Sequence, residues 1–352
     1  MNITTLPAAC DMHVHLRDPG QTYKTDIAEG ARIAARSGIS DIAMMPNTIP
    51  VIDNVGIVER ILLDLPRVNA VAPYTSVHII AAVTVGQQGK KLTDFIALKK
   101  AGVIAVSDDG LPINDNALMQ EAMLAAQVAG LPLVDHCEPE AAQVARDCEL
   151  VAKTGAPIHI AHVSRAESLE LIRQAKRDGL PVSCEVAPHH FTFTKNAIAQ
   201  HGGNAMMNPP LAEQHDVDAV IEALRDGTVD VIASDHAPHH WVEKQRTPPP
   251  NGIIGLETLW SASLTALYFT GILTLKQLTD KLCHNPRQIL KIDNPRPLSQ
   301  KKMPPDAAGD FPTQGTTIQI DLDAEYIYQP KGRCINTPFA GMKLRGKVIC
   351  KN

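Results

Sequence analysis

The 352-residue sequence has few aromatic residues, little net charge and no long apolar segment. Aromatic side chains make up 4%, too few for the base-stacking platforms of proteins that bind single-stranded nucleic acids. The net charge of −5 is mild and predicts neither a nucleic-acid nor a membrane partner. No apolar run approaches the roughly 18 residues that a membrane-spanning helix needs.

The sequence also lacks the cysteine spacing of a disulfide framework or a zinc ribbon. The sequence has seven cysteines, an odd number, and they are scattered without a Cys-x-x-Cys pair. We therefore expect free thiols in the reducing cytoplasm and no zinc ribbon.

Short apolar runs bounded by turn residues recur along most of the chain, and helical patterns lie between several of them. Near-continuous apolar runs are typical of parallel strands buried on both faces. Eight strands alternating with helices predict an α/β fold, a (β/α)8 TIM-type barrel. A doubly wound open sheet is the alternative, but no Gly-x-Gly-x-x-Gly phosphate loop supports it. The runs are 8–15, 40–47, 76–85, 103–110, 131–138, 157–164, 181–190 and 229–239.

Helix boundaries can be predicted at two of the intervening stretches. Residues 115–130 begin with an Asp or Asn cap and end at a glycine. Residues 164–179 have Ser164 as the predicted N-cap, and Glu167 three residues later could complete a capping box.

The composition changes near residue 295. Residues 294–315 are rich in Pro, Gly and Lys and predict a linker, whereas 316–330 alternate like an exposed strand. We therefore predict a barrel over 8–295 and a linker with a small β appendage over 296–352, to which residues 1–7 contribute.

The stretch "CDMHVHLRDPG" places His13 and His15 two residues apart on the first predicted strand. Side chains at positions i and i+2 of a strand point to the same face, as two imidazoles that bind one metal ion would need to. For an isolated His-x-His, a surface strand with alternating polar residues is an equally good interpretation.

Histidines and aspartates also end other predicted strands, and chemistry in such a barrel sits at the C-terminal strand ends. Each of them alone has a structural explanation, such as a hydrogen-bonded core histidine or a helix cap. Together, four histidines and two carboxylates could hold two metals that share a bridge. Ligands without thiolate favour zinc, with manganese or cobalt as alternatives. The set is His13, His15, Asp108 or Asp109, His136, His162 and Asp235.

Ten motifs occur in the order found in class I dihydroorotases of the amidohydrolase superfamily, and the sequence resembles that family over about 8–290 and again near 336–341. His-x-His alone indicates only the superfamily, whereas Arg17 before Pro-Gly, with Asn47 and "SDHAPH", is more specific. The motifs are "DMHVHLRDPG", "MMPNT", "SDDG", "DHCE", "IAHVS", "EVAPHH", "MNPPL", "ASDHAPH", "GIIGLET" and "NTPFAG".

The resemblance implies a role for each candidate residue. One metal would be held by His13, His15 and Asp235, and a second by His136 and His162. Asp109, chosen over Asp108 by alignment with the family pattern, would bridge the two. The implied cofactor is one or two Zn²⁺ per chain.

The resemblance also implies a substrate and a reaction, the interconversion of dihydroorotate and N-carbamoyl-aspartate in pyrimidine biosynthesis. Arg17, Asn47 and His239 would hold the substrate carboxylate, and Asn208 would contact the pyrimidine ring. Metal-activated water would attack the ring carbonyl, with Asp235 carrying the proton.

Two other functions stay open from the sequence. A hydantoinase or allantoinase would have the same fold, although those substrates lack the carboxylate that Arg17 suits. An inactive dihydroorotase-like subunit could support aspartate transcarbamoylase, but we expect such a scaffold to lose metal ligands. A homodimer and an association with aspartate transcarbamoylase are the macromolecular partners that the resemblance suggests.

Overall fold

Eight parallel strands form the central sheet of the computed structural model, which describes residues 2–293, 313–314 and 317–349. They pair in sequence order, and a bridge between Val14 and His236 joins the first strand to the segment after the last. The sheet is thus a nearly closed (β/α)8 barrel, as predicted. After β1 (Ile3–Pro7), these strands are β2 (Ala9–Val14), β3 (Ile39–Met44), β4 (Ser76–Ala81), β5 (Ala105–Ser107), β6 (Leu133–Asp135), β7 (Ile158–Ile160), β8 (Val182–Val186) and β9 (Val231–Ile232).

Helices surround the barrel and fill the connections between its strands. Two π-helical turns also occur, at Leu264–Tyr268 and Asp280–His284. The helices are α1 (Ile27–Arg36), α2 (Val55–Val71), α3 (Phe95–Lys100), α4 (Asn116–Ala129), α5 (Glu140–Thr154), α6 (Ala166–Arg177), α7 (Pro188–Thr192), α8 (Ala197–His201), α9 (Gln214–Asp226), α10 (Trp241–Lys244), α11 (Leu259–Ser263), α12 (Leu275–Thr279) and α13 (Asn285–Leu290).

The predicted cap of α4 is confirmed, whereas that of α6 is wrong. Asp115 accepts from two N–H groups of the first turn of α4, and Gly130 ends that helix in the left-handed region. Helix α6 begins one residue after Arg165, without a side-chain cap. The Ser164 N–H and hydroxyl donate to Glu140 on the neighbouring α5, so a tertiary contact replaces the local capping box.

Apolar side chains pack on both faces of the barrel strands. One buried cluster fills the interior and includes Met12, Ile80 and Val134. A larger cluster lies between the strands and the helices. This two-sided burial explains why the strand sequences are nearly continuous apolar runs.

A second, antiparallel sheet contains β1 and three strands from the C-terminal part of the chain. They are β10 (Thr313–Gln314), β11 (Thr317–Ile327) and β12 (Lys343–Val348), and β11 pairs with each of the others. The predicted pairing of residues 1–7 with the C-terminal strands is therefore observed. Of the linker predicted over 294–315, only residues 313–314 are described, and they form β10 rather than irregular chain. The division into two units stays a prediction. Among the helices described, none combines the length and apolar character of a membrane span.

A buried ion pair lies at the N-terminal end of the barrel. Arg287 on α13 donates to the Asp41 carboxylate at 2.7 Å and to the Ser40 hydroxyl at 2.7 Å. Its guanidinium also donates to the backbone carbonyls of Ala9 and Cys283. These contacts join β2, β3 and α13 at the end opposite the predicted site.

We expect Arg287→Met to lower the free energy of unfolding by about 3–5 kcal/mol, because it leaves the Asp41 carboxylate buried without its main cation. Urea unfolding of both proteins would measure the change. Arg67→Met is the control, since Arg67 pairs with Asp64 on the exposed surface of α2, where ion pairs contribute little. Equal losses in the two variants would contradict a special role for the buried pair.

Candidate metal centre

All six side chains predicted as ligands meet at the C-terminal end of the barrel. Each lies at the end of its strand or within three residues after it, so barrel closure brings them together. All are buried. They are His13 and His15 with β2, Asp109 with β5, His136 with β6, His162 with β7 and Asp235 with β9.

Asp109 is the central group of this cluster. Its Oδ1 lies 3.4 Å from His13 Nε2 and 3.1 Å from His162 Nε2. Its carboxylate also lies 3.4 Å from His15 Nε2 and 3.5 Å from His136 Nδ1. Contact with all four histidines places this carboxylate between the two predicted ligand pairs, where it could bridge two cations.

Asp108, the alternative bridge, faces away from the histidines. Its carboxylate accepts from the Thr84 N–H at 3.0 Å and from the Thr84 hydroxyl. Burial raises the pKa of Asp108 to about 6. Of the two neighbouring aspartates, the geometry therefore places Asp109 in the cluster.

Asp235 completes the group from the other side. Its Oδ1 lies 3.2 Å from His15 Nε2 and 3.4 Å from His13 Nε2. Asp235 Oδ2 and His13 Nε2 are buried atoms without a hydrogen-bond partner in the described structure. Buried polar atoms are normally paired, so these two are available to a ligand that the protein itself does not provide.

The donor set fits a divalent cation. Three triads from this cluster each have ligand atoms within 4.8 Å of one another, namely His13–His162–Asp235, His13–His15–Asp109 and Asp109–His136–His162. Burial would raise the pKa of Asp109 and Asp235, but the nearby histidines outweigh it and hold both pKa values below the ordinary value. Imidazole and carboxylate together are ligands typical of zinc sites.

Hydrogen bonds behind the cluster fix two of the imidazoles. His13 Nδ1 lies 2.6 Å from Glu185 Oε1, and His15 Nδ1 lies 2.8 Å from Asn47 Oδ1. A metal-binding histidine commonly donates its second ring N–H to such an acceptor. Glu185 near the end of β8 is a functional candidate that was not assigned a role from the sequence, although its position near a strand end could have indicated one.

Three residues of the site have a backbone conformation that non-glycine residues rarely adopt. The φ angles of Arg17, His162 and Asp235 are 58°, 34° and 47°. Left-handed conformations cost of order 1–3 kcal/mol each and cluster at functional sites. Here the left-handed conformations occur in the segments that follow β2, β7 and β9, and they set the direction of these three side chains.

The residues predicted to bind substrate border the cluster, but they do not form one group. Arg17 Nη2 lies 3.4 Å from His239 Nε2. Asn47, by contrast, contacts His15 and donates to the Asp109 carbonyl at 3.4 Å. Asn208 donates from Nδ2 to Glu138 Oε2 at 3.0 Å, and it lies beside His136.

A group of polar residues behind His239 was not predicted from the sequence. Lys24 Nζ lies 3.3 Å from His239 Nδ1 and 3.3 Å from Glu243 Oε1. Asn336 accepts from the His239 N–H at 3.0 Å and donates to the Gly252 carbonyl at 2.9 Å. Asn336 begins the family motif "NTPFAG", and this could have indicated a role for it. No feature of the sequence pattern indicates a role for Lys24.

Comparison with known proteins gives consistent similarities. A family model described as dihydro-orotase-like matches residues 4–143. Dihydroorotases of Acetivibrio thermocellus and Geobacter metallireducens are 39% and 38% identical, each over 97% of this chain and 84% of the relative. The structure of L-hydantoinase (dihydropyrimidinase) from Arthrobacter aurescens has a TM-score of 0.80 at 20% identity, covering 98% of this chain and 82% of that one. An inactive dihydroorotase-like domain of a Chaetomium thermophilum CAD-like multifunctional protein has a TM-score of 0.70 at 18% identity, covering 100% of this chain and 94% of that one.

Proposed function

Since the chain belongs to the dihydroorotase family of the amidohydrolase superfamily, we propose that it catalyses the reversible cyclisation of N-carbamoyl-L-aspartate to L-dihydroorotate. This is a cyclic amide hydrolase reaction that requires a metal. The observation that carries the proposal is the convergence of four histidines and two aspartates beside the Arg17–His239 pair.

The metal would be one or two Zn²⁺ ions per chain. We assign His13, His15 and Asp235 to one ion, His136 and His162 to the other, and Asp109 to both. Manganese or cobalt is the alternative, since the set contains no thiolate. When bound, the metal would lower the pKa of a coordinated water and polarise the scissile carbonyl.

The surroundings of Asp235 support a role as proton carrier. Its Oδ2 is buried and without a hydrogen-bond partner in the described structure, while Oδ1 faces His13 and His15. In ring opening it would take the proton of the attacking water and return it to the leaving nitrogen. In ring closure the same carboxylate would remove a proton from the carbamoyl nitrogen.

The residues at the edge of the cluster would orient the substrate. The Arg17 guanidinium is a planar fork of donors that suits the substrate carboxylate, and His239 adds a second donor beside it. We propose that Asn47, which lies next to His15, also binds the substrate carboxylate. Asn208, held by Glu138, would contact the ring amide.

Turnover of dihydroorotate by purified, zinc-supplemented protein tests this function. We expect hydrolysis at alkaline pH and cyclisation of N-carbamoyl-L-aspartate at acidic pH, because ring closure consumes a proton. Hydantoin and allantoin, which lack the carboxylate, test the hydantoinase or allantoinase alternative. Faster turnover of either neutral substrate, or no turnover of any, would contradict the proposal; the second result would favour an inactive dihydroorotase-like subunit.

We also expect one or two equivalents of zinc-like metal per chain in protein produced in metal-supplemented medium. His136→Asn should reduce the metal content, since it removes one ligand of the assigned second ion. His78→Asn is the control, because His78 pairs with Asp41 at the opposite end of the barrel. Elemental analysis measures the content, and full activity in protein free of transition metal would refute the metal assignment.

A homodimer, an association with aspartate transcarbamoylase and a cytoplasmic location are further proposals that follow from the family resemblance. Light scattering would measure the oligomeric state. Co-elution with purified aspartate transcarbamoylase, compared between the active protein and an Asp235→Asn variant, would test an association separately from catalysis.

A further inference from the structure

We propose that Lys24 is a positioning residue that keeps the ring hydrogen of His239 on Nε2, so that this nitrogen donates to the substrate carboxylate. The inference rests on the proposed function, because that function supplies the carboxylate. It gives Lys24 a role in substrate recognition without direct contact between Lys24 and the substrate.

Lys24 is a buried cation with a fixed set of neighbours. Its side chain is almost fully excluded from solvent, and Nζ lies within 3.4 Å of three possible acceptors. These are Gln21 Oε1 at 3.4 Å, His239 Nδ1 at 3.3 Å and Glu243 Oε1 at 3.3 Å. An ammonium group has three N–H donors and no acceptor, so each neighbour has to accept.

The ring of His239 is therefore constrained at one nitrogen. A neutral imidazole has one N–H and one accepting nitrogen. Because Nδ1 accepts from Lys24, the hydrogen lies on Nε2. Burial, together with the charges of Arg17 and Lys24, lowers the pKa of His239 to about 3, which keeps the ring neutral.

The Glu243 carboxylate is the competing partner for Nδ1, but it is already used. Its Oε2 lies 3.6 Å from His239 Nδ1, beyond hydrogen-bond range, and accepts from the His240 N–H at 3.0 Å. Its Oε1 accepts from the Tyr23 hydroxyl at 2.8 Å. Glu243 thus holds Lys24 in place and leaves Nδ1 to the ammonium group.

Two donors then face each other at the site. The Arg17 guanidinium can only donate, lies 3.4 Å from His239 Nε2 and would bond to it in the other tautomer, so Lys24 has to outcompete it from its fixed position 3.3 Å from Nδ1. With the hydrogen on Nε2, neither group can accept from the other. A carboxylate oxygen placed between them would accept from both. The charge of Lys24 behind the ring further favours an anion at this position.

The tautomer can be measured directly by long-range ¹H–¹⁵N correlation spectra of zinc-loaded protein labelled with ¹⁵N-histidine. The His239 signals are identified by their loss in His239→Asn. We expect wild-type His239 to be protonated on Nε2 and Lys24→Met to be protonated mainly on Nδ1, with Nε2 accepting from Arg17. A proton on Nδ1 in wild type, or the same tautomer in both proteins, would overturn the inference.

Kinetics separate positioning from a purely structural role. Lys24→Met should raise KM for dihydroorotate about 10-fold, as expected for losing one well-placed bond to a charged group, and leave kcat within about twofold. In a His239→Asn background the same change should add less than about twofold, because the effect acts through that ring. Equal effects in both backgrounds would show that Lys24 does not act through His239.

Lys281→Met is the matched control, since Lys281 is also buried but donates to the Val229 carbonyl outside the site. It should lower stability without changing KM or the His239 tautomer. If wild type failed to turn over dihydroorotate, the proposed function would fail, and the spectra would still decide whether Lys24 sets the tautomer. If wild type were active and Lys24→Met unchanged in both readouts, only the inference would fail.

Discussion

Asp235→Asn is expected to lower kcat for dihydroorotate by roughly 10²–10⁴-fold, the range typical of a general acid–base group. The substitution keeps the size of the side chain but removes its charge and its ability to carry a proton. The effect should be large because Oδ2 is buried without another partner in the described structure, while Oδ1 faces His13 and His15. Initial rates in both directions would measure it.

Controls are needed because loss of metal or of fold would also lower the rate. Circular dichroism and the metal content of Asp235→Asn should be compared with wild type. Asp108→Asn is the matched aspartate control, since Asp108 bonds to Thr84 and faces away from the histidines. We expect it to keep most of the activity, and a folded Asp235→Asn protein with at least half the wild-type rate would disprove the assigned role.

The barrel and the convergence of the candidate ligands could be predicted because both depend on local sequence patterns. Apolar runs buried on two faces indicate parallel strands, and polar residues at their ends must then lie on the same edge of the barrel. Thus His136 and His162, 26 positions apart, could be expected to meet, and their ring nitrogens are 2.9 Å apart. No knowledge of the packing was needed for that step.

Contacts behind the ligands could not be predicted in this way. His13 bonds to Glu185 across 172 positions, and Lys24 contacts His239 across 215. Whether such side chains meet depends on loop paths and rotamers after the barrel has closed, and a strand pattern does not specify these. The misplaced cap of α6 has the same origin, since Glu140 of a neighbouring helix binds the Ser164 N–H.

The two adjacent aspartates, Asp108 and Asp109, show what a strand pattern alone cannot predict. The sequence places Asp108 and Asp109 together after β5, and either could face the histidines. In the fold, Thr84 donates to the Asp108 carboxylate, whereas the four histidines contact the Asp109 carboxylate. A partner in the loop after β4 thus decides a question that strand alternation alone leaves open.

Arg17→Lys is expected to lower kcat/KM for dihydroorotate by about 10- to 150-fold, which corresponds to losing one hydrogen bond to a charged group. Lysine keeps the charge but cannot form the two parallel bonds of a guanidinium fork with a carboxylate. The arginine is also positioned by its left-handed backbone and by a bond from Nε to the Pro238 carbonyl at 3.4 Å. Steady-state kinetics with both enzymes would measure the loss.

A neutral substrate tests whether this loss concerns the carboxylate itself. Dihydrouracil has the same ring without the carboxylate, so wild type should use it poorly and Arg17→Lys should affect it much less. Arg173→Lys is the control, because Arg173 pairs with Asp226 on the outside of the barrel and should affect neither substrate. Equal losses on the charged and neutral rings would mean that Arg17 supports the site structurally. The preference for dihydroorotate over a neutral ring would then have to come from the other two residues proposed to bind the carboxylate, His239 and Asn47.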